Sequence, residues 1–222
     1  MQGKSALIIG ASGFIGGELL KQVLNQTHYT KVTILTRKHL EVKHPKLKQY
    51  VVNFDVLPQY KDHFKVDHVF CCLGTTMKTA KSRAAFKKVD LEYPLQSAKL
   101  AKEGQAGTFL MVSAMGADVS SKIFYNQVKG AAERAINELR LPSLHIFRPS
   151  LLLGDRQEFR VAERIAAMAT KVLFFIWKGP LEKYKPIEAA AVARAMMLVA
   201  RHPSPGTHIH ESSKIAALAA GK

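Results

Sequence analysis

Two side chains suited to proton transfer stand four residues apart in the middle of the chain, Tyr125 and Lys129. Residues at this spacing share one face of an α-helix, so the phenol and the ammonium can point toward the same cleft. A nearby cation favours the phenolate form of a tyrosine and so suits it to exchange a proton with a carbonyl oxygen. Ser113 follows the preceding apolar run and adds a hydroxyl. The same spacing is common on ordinary helix surfaces, so its meaning depends on the rest of the chain.

A glycine-rich loop near the N-terminus predicts a dinucleotide site. It follows a short apolar run and opens an amphipathic one, the strand-loop-helix order that such sites require. Glycines permit a tight turn and close approach of the backbone, and the helix N-terminus offers free N–H groups and a partial positive charge to a pyrophosphate. A simple tight turn would need only one of the three glycines. The predicted phosphate-binding residues are Gly10, Ser12, Gly13, Phe14, Ile15 and Gly16.

The residues after the second apolar run predict which dinucleotide is preferred. NAD-binding folds usually place an acid there for the ribose 2′-hydroxyl, whereas an arginine accommodates the 2′-phosphate of NADP. This chain has Arg37 and Lys38, with no acid before Glu41. Arg37 can form a fork to phosphate oxygens, so we expect NADP(H) to be preferred over NAD(H). The alternative interpretation of Arg37 is a solvated surface cation. Asp55 is a candidate partner for the adenine amino group, or else a turn-capping residue.

Short apolar runs alternate with longer amphipathic runs and position these candidates. The alternation is typical of βαβ units and predicts an α/β fold, a doubly wound parallel sheet of the Rossmann type. After Pro149 the alternation weakens, and we expect residues 150–222 to contribute a small C-terminal cap on the substrate side of one domain spanning residues 1–222. The predicted strands are Ala6–Ile9, Lys31–Leu35, Gln49–Asn53, Val66–Cys72, Thr108–Val112 and Leu144–Phe147, with a short extended piece at Thr207–His210. The predicted helices are Ile15–Asn25, Leu91–Lys102, Phe124–Leu139, Glu158–Phe175 and Ile187–Arg201.

Composition excludes several classes of protein. The 222 residues are 47% hydrophobic and 23% charged, which is ordinary for a globular domain able to bury its own core. The two cysteines, Cys71 and Cys72, are adjacent, which excludes a disulfide-rich secreted fold and favours a reducing, cytoplasmic location. The nine histidines show no metal-ligand spacing with a third ligand, so no metal site is predicted. The longest apolar run, Val172–Trp177, is too short to span a bilayer. We expect no signal peptide, because the apolar run Ala6–Ile9 leads into a glycine-rich turn and not into a cleavage site.

The net charge of +16 is the unusual bulk property. Its cations concentrate in two basic segments, which follow the second and fourth predicted strands, near the sheet edge where cofactor phosphates bind. NADP(H) accounts for part of this charge, and a second anionic partner, such as a phosphorylated ligand, RNA or a membrane surface, stays open. No nucleic-acid motif strengthens the RNA alternative. The segments contain Arg37, Lys38, Lys43, Lys46 and Lys48, then Lys78, Lys81, Arg83, Lys87 and Lys88.

Several longer motifs together resemble the atypical short-chain dehydrogenases/reductases and, within them, the Tat-interacting-protein-like oxidoreductases. The resemblance runs from about Ser5 to Met197 and covers most of the chain. The motifs are CCLGTT from Cys71, VD.EY from Val89, GAD.SS from Gly116, YNQVKGAAE from Tyr125 and FRPSLLLGDRQE from Phe147.

The resemblance implies an NADP(H)-binding Rossmann domain. In it Tyr125 acts as acid/base, Lys129 anchors the nicotinamide ribose, and Arg37 holds the adenosine phosphate. The glycine loop, including Ser12 and Ile15, holds the pyrophosphate. The resemblance further implies that Leu73, Gly74 and Thr75 line the cofactor cleft, and that Arg148, Pro149 and Leu151 close over the nicotinamide.

One departure from the family pattern leaves two functions open. Related proteins usually carry two serines at the end of the fifth strand, the second of which polarises the substrate oxygen, whereas this chain has Ser113 followed by Ala114. Either Ser113 turns inward and takes this catalytic role, or the donor is missing. Loss of one such donor costs on the order of 100-fold in rate. The first hypothesis is an NADP(H)-dependent reductase, or an epimerase, acting on a small carbonyl or alcohol. The alternative is an NADPH-binding regulatory or sensor protein. Substrate identity and the choice between monomer and homodimer stay open, as does whether the aromatic cluster Phe174–Trp177 walls a pocket or packs the cap.

Overall fold

The computed structural model describes residues 3–153 and 184–221. Seven parallel strands form the main sheet, and two short ones pair separately. The strands are β1 (Lys4–Ile9), β2 (Tyr29–Thr36), β3 (Leu47–Val51), β4 (His68–Cys71), β5 (Thr108–Val112), β6 (Ser143–Arg148), β7 (Leu152–Leu153), β8 (Ile187–Glu188) and β9 (Gly206–Glu211). The helices are α1 (Phe14–Leu24), α2 (Met77–Ala80), α3 (Arg83–Lys87), α4 (Tyr93–Glu103), α5 (Phe124–Asn137), α6 (Ala189–Arg201) and α7 (Ser212–Ala219). Two irregular helical stretches complete the set, 3-10 turns over Phe54–Phe64 and a π-turn over Lys88–Glu92.

The sheet is doubly wound, as predicted. Its strand order is β3-β2-β1-β4-β5-β6-β9, so the chain reverses direction across the sheet between β1 and β4. Helices cover both faces, and this explains why the central strands consist of continuous apolar runs. A crevice opens outside the carboxyl ends of β1 and β4, and ligands of open α/β sheets bind at this switch point.

Two apolar layers hold the helices to the sheet. On one face α1 and α6 pack through residues such as Leu19, Leu20 and Met196. On the other face Phe64, Ala98 and Ile136 bring the 3-10 turns, α4 and α5 against the strands. These layers fix where α1 and α5 begin, and both helices begin at the carboxyl edge of the sheet.

Most predicted elements begin one or two residues away from the observed boundary, and two of the differences have a clear physical reason. The third strand covers Leu47–Val51 and not Gln49–Asn53, because it is a largely exposed edge strand that pairs only with β2 and has no apolar run to mark it. The helix predicted from Leu91 begins at Tyr93, after the π-turn. Pro94 lies in its first turn, where a missing N–H is tolerated.

The described part of the C-terminal stretch lies against the main sheet. Strand β9 pairs with β6 and becomes the seventh strand, in agreement with the extended piece predicted at Thr207–His210. Helix α6 packs on the same face as α1. The predicted helix Glu158–Phe175 and the aromatic cluster Phe174–Trp177 lie outside the described residues.

Candidate cofactor cleft and active site

The glycine loop turns sharply between β1 and α1. Gly10 has a φ of +86°, and a Cβ atom there would lie 2.5 Å from the Cys72 carbonyl oxygen. A Cβ atom on Gly16 would lie 2.2 Å from the Gly10 carbonyl oxygen. Both positions therefore require glycine. Gly13 caps α1 without a side-chain hydrogen bond, so the first N–H groups of the helix face the crevice without a side-chain acceptor.

A cleft of about 190 Å³ opens above this loop. Among the residues that the structure describes, its wall contains one cationic side chain, Arg37, and no acid. The Thr36 hydroxyl on the wall is buried and has no hydrogen-bond partner in the described part of the chain. A cation, helix N–H groups and an unpaired hydroxyl fit the phosphates and ribose of a dinucleotide. The wall is formed by Gly10, Ser12, Gly13, Leu35, Thr36, Arg37, Phe54, Cys72, Leu73, Gly74, Val89 and Tyr93.

Other residues predicted for the adenosine end are placed differently from Arg37. Lys38 is exposed and lies outside the cleft wall. The Asp55 carboxylate accepts a hydrogen bond of 2.5 Å from the Tyr93 hydroxyl and forms an ion pair of 2.7 Å with Lys88. Hydrogen bonds from Lys88 and Tyr93 lower the pKa of Asp55. Asp55 thus positions Tyr93 on the wall, while the turn itself is capped by Asn53, whose side chain accepts from the Asp55 N–H at 3.0 Å.

A buried ion pair lies directly beneath the cleft. The Lys129 ammonium lies 2.8 Å from Asp90 Oδ1, and both side chains are almost fully buried. The Thr75 N–H donates to Asp90 Oδ2 at 2.9 Å. A Cβ atom on Gly74, which lines the cleft, would lie 3.6 Å from both charged groups. The pair is therefore separated from the cleft only by a glycine backbone.

Burial and the attraction between the two charges have opposite effects on each pKa, that of Asp90 and that of Lys129. Burial raises the pKa of Asp90, although the Lys129 ammonium and the Thr75 N–H partly offset the effect. Burial alone lowers the pKa of Lys129, but the Asp90 carboxylate, together with Tyr125, reverses this, and the net shift is upward. Lys129 therefore keeps its proton at neutral pH. A permanent cation is held below the cleft, close enough to Tyr125 to interact with it electrostatically.

Tyr125 and Ser113 occupy the two elements that were predicted for them. Tyr125 is half-buried one helical turn before Lys129 on α5, and its ring contacts that of Phe86, with centroids 5.5 Å apart. Ser113 directly follows β5 and is buried, and its N–H donates to the Phe147 carbonyl at 2.7 Å. The Ser113 hydroxyl has no hydrogen-bond partner in the described ranges. The neighbouring Ala114 is also buried and offers no donor side chain.

The side chains expected to close over the nicotinamide do not line the cleft around Gly10. Arg148 forms a two-pronged ion pair with Glu133, at 3.0 and 2.5 Å, and a third contact of 2.9 Å with Glu211. The hydrogen bonds that Arg148 donates to the Glu133 carboxylate raise the pKa of Arg148. Its guanidinium therefore ties α5 to β6 and β9, and a cofactor contact by Arg148 would have to come from its backbone. Pro149 is buried and Leu151 is 60% exposed, and neither lines the cleft around Gly10.

Sequence reasoning missed part of the site. Asp90 entered only as a motif residue, although it is the partner of Lys129, and Tyr93 and Phe54 were not expected on the cleft wall. An acid followed closely by the proline of a helix start was the one signal for Asp90, but nothing in its spacing pointed to Lys129. Within the described ranges no three His, Cys, Asp or Glu residues are arranged to hold a metal ion. No helix in those ranges is both long and apolar enough to cross a membrane.

Comparisons with known proteins agree with this geometry. A family model described as NAD(P)H-binding matches residues 10–172. Protein HTATIP2 of Rattus norvegicus is 45% identical over 170 residues, which cover 75% of this chain and 70% of the relative. Protein FMP52, mitochondrial, of Debaryomyces hansenii is 33% identical over 205 residues, covering 90% and 88% of the two chains.

Solved structures share the fold at low sequence identity. The complex of MoeE5 with UDP-glucose and NAD superposes with a TM-score of 0.71 at 15% identity, covering 98% of this chain and 81% of that one. An oxidoreductase of the short-chain dehydrogenase/reductase family from Burkholderia thailandensis gives a TM-score of 0.70 at 18% identity, covering 97% and 94%. The chain therefore belongs to the NAD(P)H-binding family and, as predicted, resembles the Tat-interacting-protein-like atypical short-chain dehydrogenases/reductases.

Proposed function

We propose that the protein is an NADP(H)-dependent oxidoreductase that transfers a hydride to or from a small carbonyl or alcohol, with Tyr125 as acid/base. One observation carries the proposal. The Lys129 ammonium is buried against Asp90 directly beneath Gly74 of the cleft and one helical turn from Tyr125. An ordinary pair on a helix surface would leave the Lys129 ammonium in water, because burying such a charge costs free energy. The burial of this cation beneath the cleft therefore favours a role in the site.

The proposed mechanism assigns a task to each group. NADP(H), when bound, supplies or accepts the hydride. The first N–H groups of α1 hold the pyrophosphate, and Ser12 and Gly13 shape the loop around it. The Tyr125 hydroxyl gives a proton to the substrate oxygen in reduction and takes one in oxidation, with the Lys129 ammonium one helical turn away on α5. Asp90 keeps the ammonium in position.

The preference for NADP(H) rests on charge at the cleft wall. Arg37 is exposed there, has no ion pair within the described ranges and meets no acid on the wall. A 2′-phosphate would find a fork of donors in Arg37, and a carboxylate that repels it is absent from the wall as described. The fold-level neighbour MoeE5 was solved with NAD, so cofactor choice is the first property to measure.

Direct titration of the purified protein with NADPH and with NADH, followed by calorimetry, tests this choice. We expect NADPH to bind at least about tenfold more tightly, which is the effect of one added charge-assisted contact. Arg37→Gln should remove the preference, whereas Lys43→Gln, which neutralises an exposed lysine of the same basic segment, should keep it. Absence of binding of either nucleotide would overturn the proposed function.

Replacing Tyr125 by Phe tests the chemistry separately from binding. The variant loses the proton donor but keeps the ring that packs on Phe86, so turnover in a panel of aldehydes and ketones should vanish while NADPH affinity stays within about twofold. Unchanged turnover in Tyr125→Phe would exclude the acid/base assignment.

A second function is favoured by the surroundings of Ser113. Ala114 replaces the serine of the family pattern, and the Ser113 hydroxyl is enclosed. A protein lacking the donor for the substrate oxygen would bind NADPH as a sensor and turn over slowly or not at all. Tight NADPH binding without turnover of any carbonyl in the panel would favour this alternative, and Ala114→Ser should then restore activity if the missing donor is the cause.

The cytoplasmic location and the second anionic partner remain predictions. The FMP52 relatives are named as mitochondrial proteins, so a mitochondrial location is the alternative to test. Subcellular fractionation of the tagged full-length chain distinguishes the two compartments.

A further inference from the structure

An arginine is held against the aromatic cluster that supports Tyr125. The guanidinium carbon of Arg83, the first residue of α3, lies 4.9 Å from the centre of the Phe124 ring. Phe124 directly precedes Tyr125, and the fully buried Phe86 contacts both rings, with centroids 5.8 and 5.5 Å apart. The Arg83 cation is therefore held by packing against the residue that directly precedes the proposed acid/base.

The hydrogen-bonding edges of this arginine are free for a ligand. Stacking on a ring uses the flat face of a guanidinium and leaves its N–H groups pointing outward. In the part of the chain that the structure describes, Arg83 has neither a hydrogen bond nor an ion pair. By contrast, Arg134 and Arg148 are both paired with glutamates.

The surroundings of Arg83 are strongly positive. Three exposed lysines close to Arg83 in sequence, and a fourth two residues before α5, have no acidic partner among the described residues. The Asp90 carboxylate is already paired with Lys129. A concentrated positive field of this kind attracts anions. The four are Lys78, Lys81, Lys87 and Lys122.

This cation lies apart from the one expected to bind the cofactor phosphate. Arg37 follows β2, whereas Arg83 belongs to the connection between β4 and β5. In the sheet order β2-β1-β4 the carboxyl ends of β2 and β4 are two strand spacings apart, which is about 10 Å. The two arginines therefore lie on different connections of the sheet, and a phosphate held by Arg37 leaves Arg83 available for another anion.

The surface beside Phe124 and Arg83 also presents an apolar side chain. Ile123 directly precedes Phe124, and its side chain is 62% exposed. A ligand with an apolar body and a terminal anionic group would bury Ile123 and reach Arg83 at the same time.

From these contacts we propose that Arg83 binds an oxyanion of the substrate, and that the preferred substrate is a carbonyl compound carrying a carboxylate or a phosphate. The inference rests on the proposed function, because it assumes that the reacting carbonyl lies at Tyr125. Arg83 is then the residue that selects acidic substrates over neutral ones of the same size.

Matched aldehydes test the selection. Benzaldehyde is compared with para-carboxybenzaldehyde and para-formylphenyl phosphate, and kcat/KM is measured with NADPH at low salt. We expect the wild-type protein to prefer one acidic aldehyde by at least about tenfold, and the comparison of the two acids shows whether carboxylate or phosphate fits. Arg83→Gln should bring the ratio near one, mainly through KM, and Arg83→Lys should restore part of it.

The matched control is Lys87→Gln, which removes one exposed charge from the same helix without touching Phe124. This variant should keep the acidic preference. An equal loss in Lys87→Gln and Arg83→Gln, or the absence of any acidic preference in the wild type, would overturn the subsite, because either result would reduce Arg83 to one member of a diffuse positive field.

A binding measurement separates this inference from the proposed function. The NADPH complex is titrated with para-(hydroxymethyl)benzoate and with benzyl alcohol, neither of which NADPH can reduce. If para-(hydroxymethyl)benzoate binds in a way that depends on Arg83 and no aldehyde is turned over, the result would support the subsite and overturn the oxidoreductase proposal. Turnover of the aldehydes with an acidic-to-neutral ratio of kcat/KM that does not depend on Arg83 would support the oxidoreductase function and overturn the Arg83 subsite. Absence of both binding and turnover would overturn both proposals.

Discussion

At the scale of single residues, the Asp90–Lys129 pair carries the largest expected energetic effect. Asp90→Asn keeps an acceptor for the Thr75 N–H but leaves the Lys129 ammonium buried without a counter-charge. Removing one partner of a buried pair costs about 3–5 kcal/mol, so the free energy of unfolding in urea should fall by that amount. The exposed pair Asp62–Lys65 is the matched control, and Asp62→Asn should leave the unfolding curve unchanged. Equal stability of Asp90→Asn and the wild type would exclude a charged Lys129 in the folded protein.

At the scale of elements, the turn from β1 into α1 distinguishes two neighbouring glycines. A Cβ atom at Gly16 would lie 2.2 Å from the Gly10 carbonyl, whereas one at Gly17 would meet only the Ala11 carbonyl at 3.5 Å, an ordinary contact. Gly16→Ala should therefore displace the loop, destabilise the protein by about 1–3 kcal/mol and weaken NADPH binding. Gly17→Ala should stabilise α1 by up to about 1 kcal/mol with unchanged affinity, because alanine favours a helix. Urea unfolding and calorimetric titration of both variants check the pair, and similar behaviour of the two would contradict the loop packing.

At the scale of the whole molecule, buried histidines make the fold sensitive to acid. His68 is buried with its Nδ1 2.6 Å from the Tyr29 hydroxyl, and burial, with smaller effects of Lys4 and His28 against Asp67, lowers its pKa to about 4. Burial also lowers the pKa of His145 and of His210 to about 4. The unfolded chain binds these protons near pH 6.5 and the folded protein only near pH 4, so the stability is fully present above about pH 6.5 and declines as the pH falls toward about 4.

For His68 alone this decline amounts to about 3 kcal/mol across the window. Urea unfolding at intervals from neutral pH to about pH 4 measures it, and His68→Asn, which keeps an acceptor for Tyr29, isolates the contribution. The variant should show a shallower dependence on pH by about one bound proton. Identical slopes in the two proteins would show that His68 is charged in the fold or already accessible to solvent.

Local patterns predicted the frame of the molecule and the origin of its cleft. The apolar run of β1, the glycine loop and the amphipathic face of α1 are contiguous, and each follows from sterics or from burial of one face. The face shared by Tyr125 and Lys129 follows in the same way from helical geometry. The edge strand β3 was misplaced by two residues, because an exposed strand lacks the periodic burial that marks a boundary.

The tertiary structure decided which charges meet. Asp90 and Lys129 come from different helical elements, Arg148 is paired by Glu133 and Glu211, and Arg83 lies over Phe124. No spacing along the chain encodes these contacts, since each depends on how two elements pack across the sheet. The sequence by itself determined the Rossmann frame, the loop and the identity of the chemical groups, because periodic burial and backbone sterics act locally. Only the packing of α3, the π-turn, α5, β6 and β9 decided which cation is buried, which is paired with glutamates and which is left to face a ligand. The reason is that electrostatic pairing depends on distance in space and not on separation along the chain.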